Sequence, residues 1–271
     1  MIIVEDVSFK YKGSNNKILD NLNFSVNDGE IVCIVGKNGS GKSTIGKLIA
    51  GITKLKNGNI FIDDVNISMG KNIDLVRDKI GIVFQNPENQ IIFNRIYDEL
   101  SFSLKGLSKD EVESRIDMAL RQVDMLDFKD CDLYSLSLGQ KQRIMIAEIL
   151  AKEPKYIIFD EPTTMIDSEG KEKIYKIMKS LHKSGFTIIC ITNLADEILL
   201  ADRTIILDKG SIAYEINKKD LVDKCNILKK YGIHEPTLLE ILSSLKKFGI
   251  TLDLKDYSLD NFIRAIKEKL L

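Results

Sequence analysis

The run Gly36-Lys37-Asn38-Gly39-Ser40-Gly41-Lys42-Ser43-Thr44 constrains this chain more than any other feature. It fits G-x-x-x-x-G-K-[ST] and follows an apolar run, EIVCIVG (30–36). A helix is expected to start near Lys42 and end near Gly51. Strand, glycine turn and helix in that order form the context such a pattern requires. The glycines let the backbone curl so that successive N–H groups face inward. The helix adds its positive N-terminal end. In that nest Lys42 offers a point charge to the β- and γ-phosphates of a nucleotide, and Ser43 a hydroxyl to a magnesium ion.

Elsewhere, short β-branched apolar runs alternate with helical patterns. Strands are expected at IIVEDVSF (2–9) and ILDNLNFSV (18–26), an antiparallel pair with turn chemistry at Gly13–Asn16. Further strands are expected at IVF (82–84), YIIFDE (156–161), TIICIT (187–192) and TIILD (204–208). Helical spacing lies between them, as in Ile174, Ile177, Met178 and Leu181. This alternation predicts an α/β fold with a mostly parallel sheet covered on both faces. Two regions break the rhythm. Residues 86–135 read as an inserted helical subdomain, with Ser108 and Glu111 forming a capping box. From about 218 onward two or three amphipathic helices are expected, carrying Leu238, Leu242 and Leu245, then Leu259, Phe262, Ile263, Ile266 and Leu270. Pro236 should start the first of that pair.

Composition narrows the function. Of 271 residues, 39 are Lys or Arg and 40 Asp or Glu, a net charge of −1 that argues against a dedicated nucleic-acid binder. No apolar stretch approaches the roughly 18 to 20 residues a membrane-spanning helix needs. The early acids of MIIVEDV are wrong for a secretory signal. Cys33, Cys131, Cys190 and Cys225 form no CxxC pair and are expected to be reduced. His182 and His234 are too far apart to suggest a zinc site.

Asp160 and Glu161 end an apolar strand, where two carboxylates are costly unless a metal or donor pairs with them. Beside a phosphate loop, Asp160 is the natural magnesium partner and Glu161 the base that polarises the attacking water.

Together with Leu136-Ser137-Leu138-Gly139-Gln140-Lys141-Gln142-Arg143, these residues resemble the ATP-binding-cassette ATPases, whose signature is LSGGQ. Gln85 matches that family's Q-loop glutamine. Thr164–Asp167 matches its D-loop, and Tyr11 its adenine-stacking ring. The resemblance covers roughly residues 1–217, with a helical extension over 218–271. It implies a P-loop nucleotide-binding domain of α/β class with an antiparallel β subdomain. It also implies ATP and Mg²⁺ held by Tyr11, the 36–44 loop, Gln85 and Asp160, in a head-to-tail dimer. Ser137, Gly139 and Gln140 would then touch the γ-phosphate bound by a second cassette subunit, with Asp167 at the same interface.

A narrower resemblance lies in Phe84-Gln85-Asn86-Pro87-Glu88-Asn89-Gln90 and in Glu235-Pro236-Thr237-Leu238-Leu239. Both look like the energy-coupling-factor ATPases, which drive vitamin and metal-ion uptake. That group works from the cytoplasmic face of the membrane, beneath a transmembrane coupling protein and beside a membrane protein that binds the substrate. Segment 86–104 would receive the coupling helices. An ordinary importer ATPase stays open as an alternative, though its tail is more often β-rich. So does a soluble cassette ATPase acting on DNA or ribosomes, which would usually carry a long coiled coil, a second cassette or a basic tract.

Two positions depart from the family. Its switch histidine is replaced by Asn193, which can bond a phosphate oxygen but carries no charge. Its first signature glycine is replaced by Leu138. Asn193 would weaken the site built on this chain's own phosphate loop, and Leu138 the opposite one. Both favour an asymmetric, heterodimeric pair.

Overall fold

The computed structural model describes residues 1–68, 72–252, 254 and 256–270, the last without its side chain. The chain opens with β1 (Ile2–Phe9) and β2 (Leu19–Val26), then β3 (Ile31–Val35), α1 (Lys42–Ile49), β4 (Asn57–Ile62), β5 (Val65–Asn66) and β6 (Ile80–Val83). The middle holds α2 (Ile96–Phe102), α3 (Lys109–Gln122), α4 (Leu138–Ala151), β7 (Tyr156–Asp160) and α5 (Ser168–Lys183). It closes with β8 (Thr187–Thr192), α6 (Ala195–Ile198), β9 (Arg203–Asp208), β10 (Ser211–Asn217), α7 (Leu221–Lys230), α8 (Thr237–Lys247) and α9 (Leu259–Leu270).

The strands form two sheets, β2-β1-β4-β5 and β10-β9-β3-β8-β7-β6. The first is antiparallel. In the second all neighbours run parallel except β10 on β9. Every residue of β3, β7 and β8 is buried, as a parallel sheet covered on both faces requires. One core lies on the helical-insert side of this sheet, around Cys33, Phe159, Ile188 and the apolar faces of α3, α4 and α5. The other lies between the two sheets, around Ile34, Ile158, Ile189 and α1.

Three strands go beyond the sequence expectation, the two-residue β5 among them. β4 is central to the antiparallel sheet, and β10 extends the parallel one. The cysteines, distant in sequence, also differ: Cys33 and Cys190 are register partners on neighbouring strands. All four cysteines are free. The capping box of Ser108 and Glu111 opens α3 as expected, and Pro236 is the residue before α8. Among the described residues the tail holds three helices, and the expected apolar position Leu270 falls outside the described side chains.

A cluster of charges ties the sheets together at the end of β7 away from the phosphate loop. Lys155 Nζ lies 2.8 Å from Asp28 and 2.6 Å from Asp63. The Tyr156 hydroxyl donates to Asp63 at 2.5 Å. The Lys155 and N-terminal ammonium groups hold the Asp28 carboxyl down at about 2. Burial opposes the same effect at Asp63, yet Lys155 and Tyr156 hold it well below the carboxylate range. A folded-state pKa below the unfolded one stabilises above the unfolded value and is lost as pH falls. For Asp28 the loss spans pH 3.8 down to about 2, and for Asp63 it begins at the same pH and runs lower. Asp63→Asn is therefore expected to lower the melting temperature at pH 7 by a few degrees and to flatten its fall as the pH drops below 3.8. Identical pH slopes in variant and wild type would contradict the assignment.

Candidate functional site

The phosphate loop forms because β3 must stop and reverse beneath its neighbours. A Cβ on Gly36 would lie 2.2 Å from the Leu207 carbonyl of β9. One on Gly41 would lie 2.5 Å from Leu19 Cδ2, and Gly41 also holds φ +104°. Neither position accepts a side chain. Lys42 then begins α1 and folds back, its Nζ donating to the Gly36 carbonyl at 2.8 Å and the Lys37 carbonyl at 3.2 Å. It is only 5% exposed. Burial pushes this ammonium down, while the charges of Glu161 and Asp160 pull the other way. Ser40 Oγ is buried with no partner, an orphaned polar atom inside the loop.

The acids come from the next strand but one. Ser43 Oγ donates to Asp160 Oδ1 at 2.8 Å. Burial raises the Asp160 carboxyl, and the Ser43 bond opposes it. Glu161 turns out of β7 with φ +52°, its N–H donating to the Ile191 carbonyl at 2.8 Å. Its Oε1 accepts from Asn193 Nδ2 at 3.1 Å. The same Nδ2 donates to Asn38 Oδ1 at 2.7 Å. Asn193 thus bridges the carboxylate and the phosphate loop, and its own Oδ1 is buried without a partner.

Tyr11, Asn38, Gly39, Gly41, Lys42, Ser43, Thr44, Gln85 and Glu161 line one open cleft of about 440 Å³. Gly36, Ser40 and Asp160 lie buried beneath it. The Tyr11 hydroxyl sits 3.2 Å from Thr44 Oγ1. The Tyr11 ring meets Phe9 edge-on at 4.9 Å, leaving the residue 43% exposed and able to offer a face to a base. The chemistry the arrangement offers is anion binding on backbone N–H groups and Lys42, with the Glu161 carboxylate at the edge of the same cleft. Ser43 and Asp160 fit a magnesium ion, which takes few protein oxygens and completes its shell with water and phosphate.

Ser137, Gly139, Gln140 and Asp167 do not join this cleft. Ser137 caps α4: its Oγ accepts from Gln140 N at 3.3 Å, while Gln140 Oε1 accepts from Ser137 N at 2.9 Å. Asp167 caps α5 through Gly170 N at 2.9 Å. A Cβ on Gly139 would lie 3.1 Å from Ile166 Cγ2, so the two caps pack side by side. Leu138, the first residue of α4, is half-buried there.

Sequence reasoning passed over two residues that bind these regions together. Gln142 is fully buried, and its Nε2 donates to the Phe84 carbonyl at 2.8 Å. Lys141, 6% exposed, pairs with Glu88 at 2.7 Å. Gln90 Oε1 accepts from Phe84 N at 3.1 Å. The segment after Gln85 is thereby fastened to the helix that Ser137 caps. The only sequence signal was polar residues at inward positions of α4.

Comparison with known proteins identifies the family. The profile of the ABC transporter family matches residues 19–164. The energy-coupling factor transporter ATP-binding protein EcfA1 of Fusobacterium nucleatum is 38% identical, covering 100% of both chains. EcfA1 of Ligilactobacillus salivarius is also 38% identical, covering 97% of this chain and 94% of its own. A solved structure described as cbiO1 from Clostridium perfringens, part of the ABC transporter complex cbiONQ, superposes with a TM-score of 0.77. It is 33% identical and covers 89% of this chain and 98% of that one. A dimeric post-hydrolysis state of the ATP-binding cassette MJ0796 with ADP and Pi gives a TM-score of 0.73 at 30% identity, covering 80% and 99%. Likeness of this extent, on a chain that carries the loop and its paired acids, makes it an ATPase of the ABC transporter family, among the energy-coupling factor transporter ATP-binding proteins.

Proposed function

We propose that this chain is the ATP-binding and ATP-hydrolysing subunit of an energy-coupling-factor importer. It would sit on the cytoplasmic face of the membrane and drive uptake of a vitamin or transition-metal ion. Its partners would be a second cassette ATPase, a transmembrane coupling protein and a substrate-binding membrane protein. Residues 1–217 would form the ATPase and 218–271 a separate helical extension. Among the described residues no helix is long and apolar enough to cross a membrane, which fits a peripheral subunit.

The observation that carries the reading is the division of the site. One cleft gathers Tyr11, Lys42, Ser43, Gln85 and Glu161, while Ser137, Gly139 and Gln140 face elsewhere. A second subunit docked head-to-tail would bring its own signature to this cleft. Its serine hydroxyl and helix N-terminus would meet the γ-phosphate there. Ser43, Gln85 and Asp160 would hold Mg²⁺, which neutralises charge on the phosphates when bound. Lys42 binds the β/γ oxygens and Glu161 takes the proton of the attacking water. Asp167 holds the adjoining corner.

The test is recovery of the tagged chain from its native host in mild detergent, with intact-complex mass spectrometry. One copy beside a different cassette and a multi-spanning protein is the expected result. Recovery from the soluble fraction alone would remove the transport reading. A second expectation concerns Asn193. Asn193→His should raise turnover of the assembled dimer by about tenfold, roughly the difference between a charge-assisted and a neutral hydrogen bond. An unchanged rate would show that asparagine costs this site nothing.

A further inference from the structure

Glu197 on α6 is fully buried and has no part in the chemistry described above. A carboxylate so far from water needs a purpose or a set of donors. Its donors come from two distant segments. Thr163 Oγ1 donates to Glu197 Oε1 at 2.5 Å. The Cys190 thiol lies 3.4 Å from Oε2. Burial raises the Glu197 carboxyl, and the Thr163 and Cys190 hydrogen bonds oppose it.

The segments that meet Glu197 lead directly to Glu161 and Asn193. Thr163 is two residues after Glu161. Thr192 is the last residue of β8 and immediately precedes Asn193. Thr192 Oγ1 also accepts from Leu194 N at 2.8 Å, setting the turn on which Asn193 stands. Glu161 and Asn193 meet at 3.1 Å, yet they belong to separate loops after separate strands. Glu197, on the helix that directly follows the 192–194 turn, bonds Thr163 of the first loop and Cys190 of β8, and so ties the two loops together from beneath.

We infer that Glu197 is a positioning residue for hydrolysis, fixing the 161–164 loop against the 192–194 turn so that Glu161 and Asn193 face the γ-phosphate position together. It touches no part of the nucleotide cleft. Its loss should leave ATP binding intact, because Tyr11, Lys42 and Ser43 are held by β1, β3 and α1. It should let Glu161 drift. A misplacement on the order of 1 Å costs about 10²-fold in rate.

The inference rests on the Glu161 reading above, so the two are tested together on the full chain purified with its bound partners. For Glu197→Ala the expected result is kcat lowered about 10- to 100-fold with the KM for ATP within about twofold of wild type. Glu197→Gln should recover a good part of kcat, since its amide oxygen still accepts from Thr163. Unchanged kcat would overturn the inference. So would a fall in which kcat, ATP affinity and melting temperature decline together. If Glu197→Ala does not fold, Thr163→Val removes the donor at nearly constant volume and should show the same split, kcat down and KM held. Full kcat in Thr163→Val would overturn the inference equally. Glu161→Gln measured alongside separates the two ideas. Normal turnover there sinks the base assignment, while slow turnover there with normal turnover in Glu197→Ala sinks the positioning role alone.

Discussion

Glu161→Gln is expected to bind ATP as the wild type does and to hydrolyse it about 10²- to 10⁴-fold more slowly. The substitution is close to isosteric. The residue keeps its left-handed corner, φ +52°, and its N–H bond to the Ile191 carbonyl. Asn193 Nδ2 can still donate to the new amide oxygen, as it does to Glu161 Oε1. What disappears is the ability to accept a proton from water. Lys42 and Ser43, which bind the phosphates in this reading, are untouched. The checks are single-turnover phosphate release and a nucleotide titration on the same preparation. Near-normal turnover would sink the assignment of Glu161 as base.

Lys42→Ala should act on the other half of the problem. The ammonium is 5% exposed and rests on two carbonyls of its own loop. A bound phosphate would replace those carbonyls with a charged acceptor, a hydrogen bond worth about 1.5–3 kcal/mol. ATP affinity should fall about 10- to 100-fold. Without nucleotide, the melting temperature should move little. The variant loses two hydrogen bonds but also a buried cation that is costly to desolvate. The ATP-induced rise in melting temperature should be smaller than in the wild type at a fixed ATP concentration. An unchanged dissociation constant would contradict the role of Lys42.

The sequence made some of this legible and hid the rest for physical reasons. β3, β7 and β8 are buried on both faces, so each is an unbroken apolar run. The phosphate loop is a contiguous motif whose glycines answer to local sterics. β4 escaped notice because its turn-forming NGN start, with Gly58 at φ +92°, leaves only Ile60 and Ile62 buried. β10 buries a single residue, Ile216, too few to show a period of two. The pairing of Cys33 with Cys190 depends on β3 and β8 lying side by side, a choice of topology that no local pattern records. Gln142, Lys141 and Glu197 act through partners dozens of residues away or across strand boundaries. Their sequence signal was no more than a polar letter among apolar ones.

Those cysteines have a practical consequence. Cys33, Cys190 and Cys225 are buried, and burial is among the causes that raise the Cys190 and Cys225 thiols. Few thiolates form there and reagents cannot reach them. Cys131 is half-buried in the helical insert, where its carbonyl accepts from Ile96 N at the start of α2. A maleimide dye added to the untouched wild-type chain should therefore label one place selectively. Cys131 is thus a ready-made attachment point for a fluorescent reporter on the helical insert, with no cysteine to remove and none to add.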